Sequence, residues 1–432
     1  MAKRVFVFAV LLAVLGGLCA AQTVIPDQCP YSPQHKKGLA CLIPDVTATG
    51  SSQNLANFNT TVAQVIGQLP LAVPVSGFVL GFDKKLGIPV EENQNLGSVI
   101  TERGDTIGKY KLFLGFTYQH FTFQTIDGTK LNDLPVVFQV NGTTPKIGYA
   151  LNSISANVNQ YTGIAAFGLS DRVDIAVTLP FDRVSLSAAS KNGVINLTSA
   201  SGCPPLSCPG QLQPLSAAGA ASGVGDLLLS VKGNVIKAEK SRLALGVETR
   251  FPTGDAYNLL GSGAYGVKPF FVFSRHAGRF TPHVNVGYQW NGFSVLRINP
   301  CIFQGTCSAL SSLRLPDSLE YSAGADIGIV RKLSVVADLV GQRYFGAPRV
   351  TAATSVSTPQ LANPSATPQP LPATNNTVGL VNSDYNINNL GLGLKLNPFG
   401  HLIVSANALI RLDSGGLRPN RFVPLVGVSY RF

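Results

Sequence analysis

Counting back from Phe432, one face of the final segment reads Phe432, Tyr430, Val428, Val426, Pro424, Phe422. The other reads Arg431, Ser429, Gly427, Leu425, Val423, Arg421. Residues 401–413 alternate in the same way, with Leu402, Val404, Ala406, Ala408 and Ile410 set against His401, Ser405, Asn407 and Arg411. Residues 280–291 and 243–251 repeat the pattern. A period of two residues is that of a β-strand with one apolar and one polar face. It predicts twelve strands, near 109–126, 154–168, 173–188, 224–237, 243–251, 263–274, 280–293, 318–330, 333–345, 385–396, 401–413 and 421–432.

Alternation alone fits a water-soluble sandwich, whose apolar faces form a core, or a membrane barrel, whose apolar faces meet lipid while the polar faces line a lumen. Loop lengths separate the two. Short turns at Ser170-Asp171-Arg172, Lys240-Ser241-Arg242, His276–Arg279, Arg331-Lys332 and Asn397–Gly400 alternate with long connections such as 189–223, 294–317 and the Pro/Ser/Thr-rich 346–384. Short turns at one end and long loops at the other are the asymmetry of outer-membrane barrels. In lipid an open sheet edge leaves unpaired N–H and C=O groups, so the sheet must close. The expectation is therefore an all-β fold, a closed antiparallel transmembrane β-barrel of about twelve strands spanning 109–432. Fourteen is the alternative if 77–101 contributes a further hairpin.

The N-terminus and composition agree with export. Lys3 and Arg4 precede the apolar run Val5–Leu18, and Cys19-Ala20-Ala21 supplies small residues for cleavage, so residues 1–21 read as a secretory signal peptide. Beyond it no apolar run is long enough for a spanning helix. The remaining cysteines fall into three local pairs, Cys29 with Cys41, Cys203 with Cys208 and Cys301 with Cys307. They are expected as disulfide staples in an oxidising compartment. With 44 Gly, 28 Pro and only 13% charged residues, the alphabet suits strands and turns. The formal charge of +11 is not gathered into a Lys/Arg patch, so nucleic acid is not an expected partner. Residues 22–108 lack the alternation and hold an amphipathic stretch at Ser51–Leu69, with Leu55, Phe58, Val62, Val65 and Ile66 on one face. They are expected to fold into the lumen as a plug, or else to hang below the barrel as a periplasmic segment.

The polar faces carry charges of both signs. Lys109, Lys111, Asp226, Lys232, Glu248, Arg250, Lys268, Asp326, Lys395, Arg411 and Arg431 are expected to line the lumen, chiefly as a self-neutralising network. Tyr110, Tyr288, Trp290, Tyr344, Phe422 and Tyr430 are expected in the interfacial aromatic girdles. No Walker loop, metal-ligand spacing or nucleophile motif stands out, so neither an enzyme nor a cofactor or metal is expected. Phe251-Pro252-Thr253-Gly254-Asp255 reads as a strand entering a turn.

Gly223-Val224-Gly225-Asp226-Leu227-Leu228-Leu229, Leu245-Gly246-Val247, Phe251-Pro252-Thr253-Gly254-Asp255 and Asn285-Val286-Gly287-Tyr288 resemble the barrels grouped as "MetA-pathway of phenol degradation" proteins. Those are similar in turn to the FadL/TodX transporters of fatty acids and aromatic hydrocarbons. Thr106–Lys109 with Gly115–Gln119 and Phe121-Thr122-Phe123 is similar to the first barrel strand of such proteins. The terminal Tyr430 and Phe432 resemble the signal read by the barrel assembly machinery. The resemblance implies passive passage of small hydrophobic or aromatic solutes across a bacterial (Gram-negative) outer membrane, with membrane lipid as the other partner. A general porin for polar solutes and a structural or adhesive surface barrel are the alternatives. The Asn-Pro-Ala element of the fatty-acid transporters is not seen near the N-terminus, so the resemblance does not extend to their gating hatch.

Overall fold

The computed structural model describes residues 101–140, 146–196, 211–212, 216–238, 240–294, 313–330, 332–357, 373–399 and 401–432, together with 38–40, 42, 62, 65, 66, 69, 80–83 and 88–91. The signal peptide and all six paired cysteines lie outside the described residues, as do Leu55 and Phe58.

Twelve strands make the wall: β1 Leu112–Ile126, β2 Lys146–Gly168, β3 Val173–Asn196, β4 Leu227–Lys237, β5 Ser241–Phe251, β6 Gly266–Arg275, β7 Phe280–Asn291, β8 Ser318–Val330, β9 Leu333–Ser357, β10 Ala373–Phe399, β11 Leu402–Arg411 and β12 Phe422–Arg431. Each pairs antiparallel with the next. The ring closes where β12 pairs with β1, in a register that sets Tyr430 opposite Leu114 and Val426 opposite Tyr118. Closure leaves no edge in the ring, which is what lets a sheet exist in hydrocarbon. The expected barrel is the observed one, and the sandwich is excluded.

The polar parity faces inward. Along β12, Val423, Leu425, Ser429 and Arg431 are buried, while Phe422, Val426, Val428 and Tyr430 are exposed on the outside. Outside apolar residues elsewhere include Phe116, Leu245, Phe271 and Leu394, each 40–53% exposed. Aromatic rings bound this belt. Tyr161, Phe181, Trp290 and Phe422 are exposed on the outside in the half nearer the long connections, and Phe280, Phe399, Tyr430 and Phe432 at the short-turn end. From Phe422 to Tyr430 the chain covers roughly 26 Å at ~3.3 Å per residue, about 20 Å of height at a tilt of ~40°, which fits within the ~25 Å apolar belt of membrane barrels. Tyr344 departs from the girdle expected of it. It shares the inward parity of Val336 and Asp338, is 2% exposed, and stacks on Tyr385 at 5.1 Å.

Four strands are longer than the alternation predicts. A tilted strand needs only about 9–11 residues to cross hydrocarbon, whereas β2, β3, β9 and β10 hold 23, 24, 25 and 27. Their excess lies at the long-connection end. Beyond the belt both faces meet water or other protein, so the two-residue hydropathy signal fades, as in Ser185–Ser190 of β3. For the same reason Leu134–Val140, paired on the outer part of β2, escaped the pattern. Ser216–Val224 continues the wall above β4 after a break at Gly225, whose N–H bonds to Pro180 O at 2.8 Å. The hairpin suspected within 77–101 forms between Leu80–Asp83 and Ile88–Glu91, but it pairs only with itself. The barrel therefore has twelve strands, not fourteen.

Candidate functional site

The lumen changes character with height. Toward the long-strand end many inward residues are apolar, among them Phe121 and Phe123 of β1, Val158 of β2, Val184 of β3, Leu409 of β11 and Val423 of β12, each 3% exposed or less. Against them pack Leu39, Leu42, Val62, Val65, Ile66 and Leu69 from the segment before the barrel. Val62, Val65 and Ile66 are helical, as their spacing suggested. Leu259 and Leu260, from the loop after β5, enter the same core. That loop folds inward because Asp226 anchors it. The carboxylate accepts from Ser262 N at 2.8 Å, from Gly254 N at 3.2 Å and from the Ser262 hydroxyl. Asn258 of the loop accepts a bond from Leu39 N through its side-chain oxygen at 3.3 Å.

The short-turn end is crossed by residues 101–108, held by charge. Arg103 meets Asp326 at 2.8 Å with both side chains fully buried. Thr101 Oγ1 lies 2.7 Å from His283 Nε2, which is itself 2.8 Å from Asp338. Lys232 Nζ lies 3.1 Å from Glu102 and donates to Arg103 O at 3.1 Å. Asn234 Nδ2 donates to Gly104 O at 2.6 Å, and Ile107 N to Asp174 at 2.9 Å. Gly104 itself approaches so closely that a Cβ there would sit 2.8 Å from Arg242 O. Asp105 faces His276 Nε2 at 3.1 Å and Arg242 Nε at 3.6 Å. Burial alone would push its carboxyl up. The His276 hydrogen bond and the charges of His276, Arg103 and Arg242 outweigh that and hold it below the ordinary carboxylate range.

Between these two zones lies a cavity of about 210 Å³. Its wall mixes apolar groups (Leu69, Leu228, Leu260, Phe270, Val272) with Gln160, Asp182, Asp226, Glu248, Arg250, Lys268 and Glu320. Lys268 bridges Glu248 at 2.7 Å and Glu320 at 2.8 Å. Arg250 bonds Asn291 at 2.6 Å and lies 3.8 Å from Asp226. A second space of about 50 Å³ adjoins it toward the apolar end, sharing Leu69, Val340 and Gln342 and lined by Phe121, Phe123 and Leu409.

Of the charged residues singled out from sequence, Asp226, Glu248, Arg250 and Lys268 therefore border the cavity, and Lys232 and Asp326 hold the crossing segment. Lys395 is buried, and the charges of Asp326, Asp338 and Arg103 all act on it. Arg411 donates to Thr125 at 3.0 Å, and Arg431 is buried. Lys111 is half-buried, and Lys109 is exposed at the short-turn rim, with its Nζ 5.0 Å over the Tyr110 ring. Sequence reasoning passed over Glu102, Arg103 and Asp105, which lie before the alternating region. It also passed over Asp182, although Asp182 shares the inward parity of Asp174 and the signal was there to read.

The fold and lumen define a class, the closed membrane-spanning β-barrel with an occupied interior. The family described as "Putative MetA-pathway of phenol degradation" matches residues 141–296, the stretch that holds most of the resembling motifs. Solved structures of similar shape include an outer-membrane channel from Pseudomonas putida F1 (14% identity, TM-score 0.45, covering 78% of this chain and 100% of that one). Others are the CymD monoaromatic hydrocarbon channel (9% identity, TM-score 0.32, 75% and 89% covered) and a Pseudomonas aeruginosa FadL homologue (9% identity, TM-score 0.30, 75% and 89% covered). No curated protein matches the chain.

Proposed function

We propose that this chain is a bacterial outer-membrane channel that passes small hydrophobic or aromatic compounds without energy coupling. The observation that carries the reading is the apolar inner wall at the long-strand end, beside the cavity. A porin for polar solutes keeps a polar interior, whereas Leu228, Leu260, Phe270 and Val272 in the cavity, and Phe121, Phe123 and Leu409 in the space beside it, give an apolar solute a surface to partition onto. The family match points the same way. In this reading residues 1–21 direct export, residues 22–108 plug the lumen, and Tyr430 and Phe432 serve the assembly machinery. The long-strand end faces outward and the short turns face the periplasm. The packing of Leu39, Leu42, Val62, Val65, Ile66 and Leu69 and the bonds of 101–108 support the plug.

The test is uptake of labelled toluene by intact Gram-negative cells lacking their own hydrophobe channels, with and without the chain. Faster entry with the chain is the expected result. Passage of sugars or ions without faster toluene entry would overturn the reading.

A further inference from the structure

The cavity is unbalanced in charge. Five carboxylates border it (Glu102, Asp182, Asp226, Glu248 and Glu320), against two cations, Arg250 and Lys268. Four of the five are accounted for. Lys268 is shared by Glu248 and Glu320, Arg250 lies by Asp226, and Lys232 meets Glu102. Asp182 is the exception: among the described residues no Lys, Arg or His forms an ion pair with it. It is only 6% exposed. The Gln160 amide is its hydrogen-bonding neighbour, yet its Oδ1 is buried and bonded to nothing among the described residues. The nearby charge of Asp226 repels it.

A buried carboxylate without a countercharge is destabilising. A fold that needed only a wall at this position would be better served by an uncharged side chain. What Asp182 lacks is a positive, hydrogen-bond-donating group, and an ammonium supplies three donors and the charge together. The rest of the wall fits the other end of such a molecule. Leu228, Leu260 and Phe270 border the same space. An apolar cavity of ~150 Å³ accepts benzene, so about 210 Å³ accommodates an aromatic ring with a short polar arm.

We propose that Asp182 forms, with Gln160 and the apolar wall of the cavity, a binding site for small organic ammonium compounds: an apolar body against Leu228, Leu260 and Phe270, and a cationic nitrogen on the part of the Asp182 carboxylate that borders the cavity. The site favours these over carboxylates of the same size, although the chain as a whole is basic. This deepens the channel reading and rests on it for the solute's route into the lumen.

The experiment is equilibrium binding of benzylammonium and of benzoate to the purified full-length protein in detergent at neutral pH. Benzylammonium is expected to bind at least about tenfold more tightly, as one charge-assisted hydrogen bond warrants. Asp182→Asn should abolish that preference and Asp182→Glu should keep most of it. Benzoate binding as well as benzylammonium would overturn the inference. So would a preference that survives in Asp182→Asn, or the absence of saturable benzylammonium binding. Folding of each variant is read from the heat-modifiable gel mobility of the barrel. Should Asp182→Asn not fold, Gln160→Leu replaces it and is expected to weaken the same preference, with an unchanged ratio counting against the site. Failure of toluene entry in cells with intact benzylammonium binding sinks the channel reading alone, and the reverse pattern sinks the ammonium site alone.

Discussion

The two ends of the lumen meet the same requirement by opposite means. Both are faces of one inward parity, and against both the segment before the barrel must be held. At the long-strand end it is held by apolar packing of Leu39, Leu42, Val62, Val65, Ile66 and Leu69 on the wall. At the short-turn end it is held by Arg103, Asp105, Thr101 and Glu102 on charged and polar partners. Apolar packing is non-directional and yields gradually, since many small contacts share the energy. A buried ion network is all-or-nothing at each member, because a partner removed leaves an uncompensated charge. The short-turn end is thus the more brittle of the two and the apolar end the more forgiving.

The sharpest way to break that contrast is Asp326→Ala. It strips the partner from Arg103, with which Asp326 is fully buried at 2.8 Å, and is expected to destabilise the fold by about 3–5 kcal/mol. Thermal unfolding followed by circular dichroism, or by loss of the folded gel band, measures it. Replacing both residues by leucine should destabilise less, since one charge of each sign is removed and Asp338 stays beside His283 and Lys395. Equal losses in the single and double variants would remove the distinction between the two ends.

Next in size is Ile66→Ala at the apolar end. Loss of a buried large aliphatic side chain costs about 2–5 kcal/mol. The low end of that range is expected here, because Ile66 already borders the cavity and its neighbours can relax into the space. Ile66→Leu should be close to neutral by the same measurement. A penalty as large as that of Asp326→Ala would show that the apolar end is no more forgiving than the charged one.

This contrast also divides what the sequence discloses from what it hides. The wall was readable because lipid outside and lumen inside impose alternation on every spanning residue, so Phe422 through Phe432 could be assigned to faces one by one. The strand extensions of β2, β3, β9 and β10 were not, because beyond the belt nothing enforces the two-residue contrast. Tyr344 was misjudged for a related reason: its aromatic character suggested the girdle, while its parity with Asp338 put it inside. Arg103 and Asp105 carry no periodic mark at all. They sit in a short irregular segment whose meaning comes from wall residues more than a hundred positions away, such as Asp326 and Arg242. Asp182 was legible from parity alone, but that no cation among the described residues forms an ion pair with it is a property of neighbouring strands together.

A smaller effect follows from Asp105. Its carboxyl is held low in the folded protein, so its contribution to stability is present above the ordinary carboxylate value, about 3.9, and is lost as pH falls through the lower folded value. The gap in melting temperature between the native chain and Asp105→Asn should therefore narrow below about pH 4. A gap that persists undiminished into stronger acid would mean that His276 and Arg242 do not act on the carboxylate as charges.

The smallest expected effect completes the contrast, because it repeats the chemistry of Arg103–Asp326 in a different place. Arg343 and Asp384 lie 3.1 Å apart, a geometry close to that of the buried pair, but their side chains are 47% and 42% exposed. Water already solvates both groups, so breaking the pair strands no charge, and salt screens what attraction remains. Arg343→Ala is therefore expected to leave the melting temperature unchanged within error. The Asp384 carboxylate keeps the Gly346 N–H at 2.9 Å as a donor. If Arg343→Ala instead destabilised the barrel as Asp326→Ala does, proximity of opposite charges rather than their burial would govern these pairs, and the brittleness assigned to the short-turn end would lose its cause.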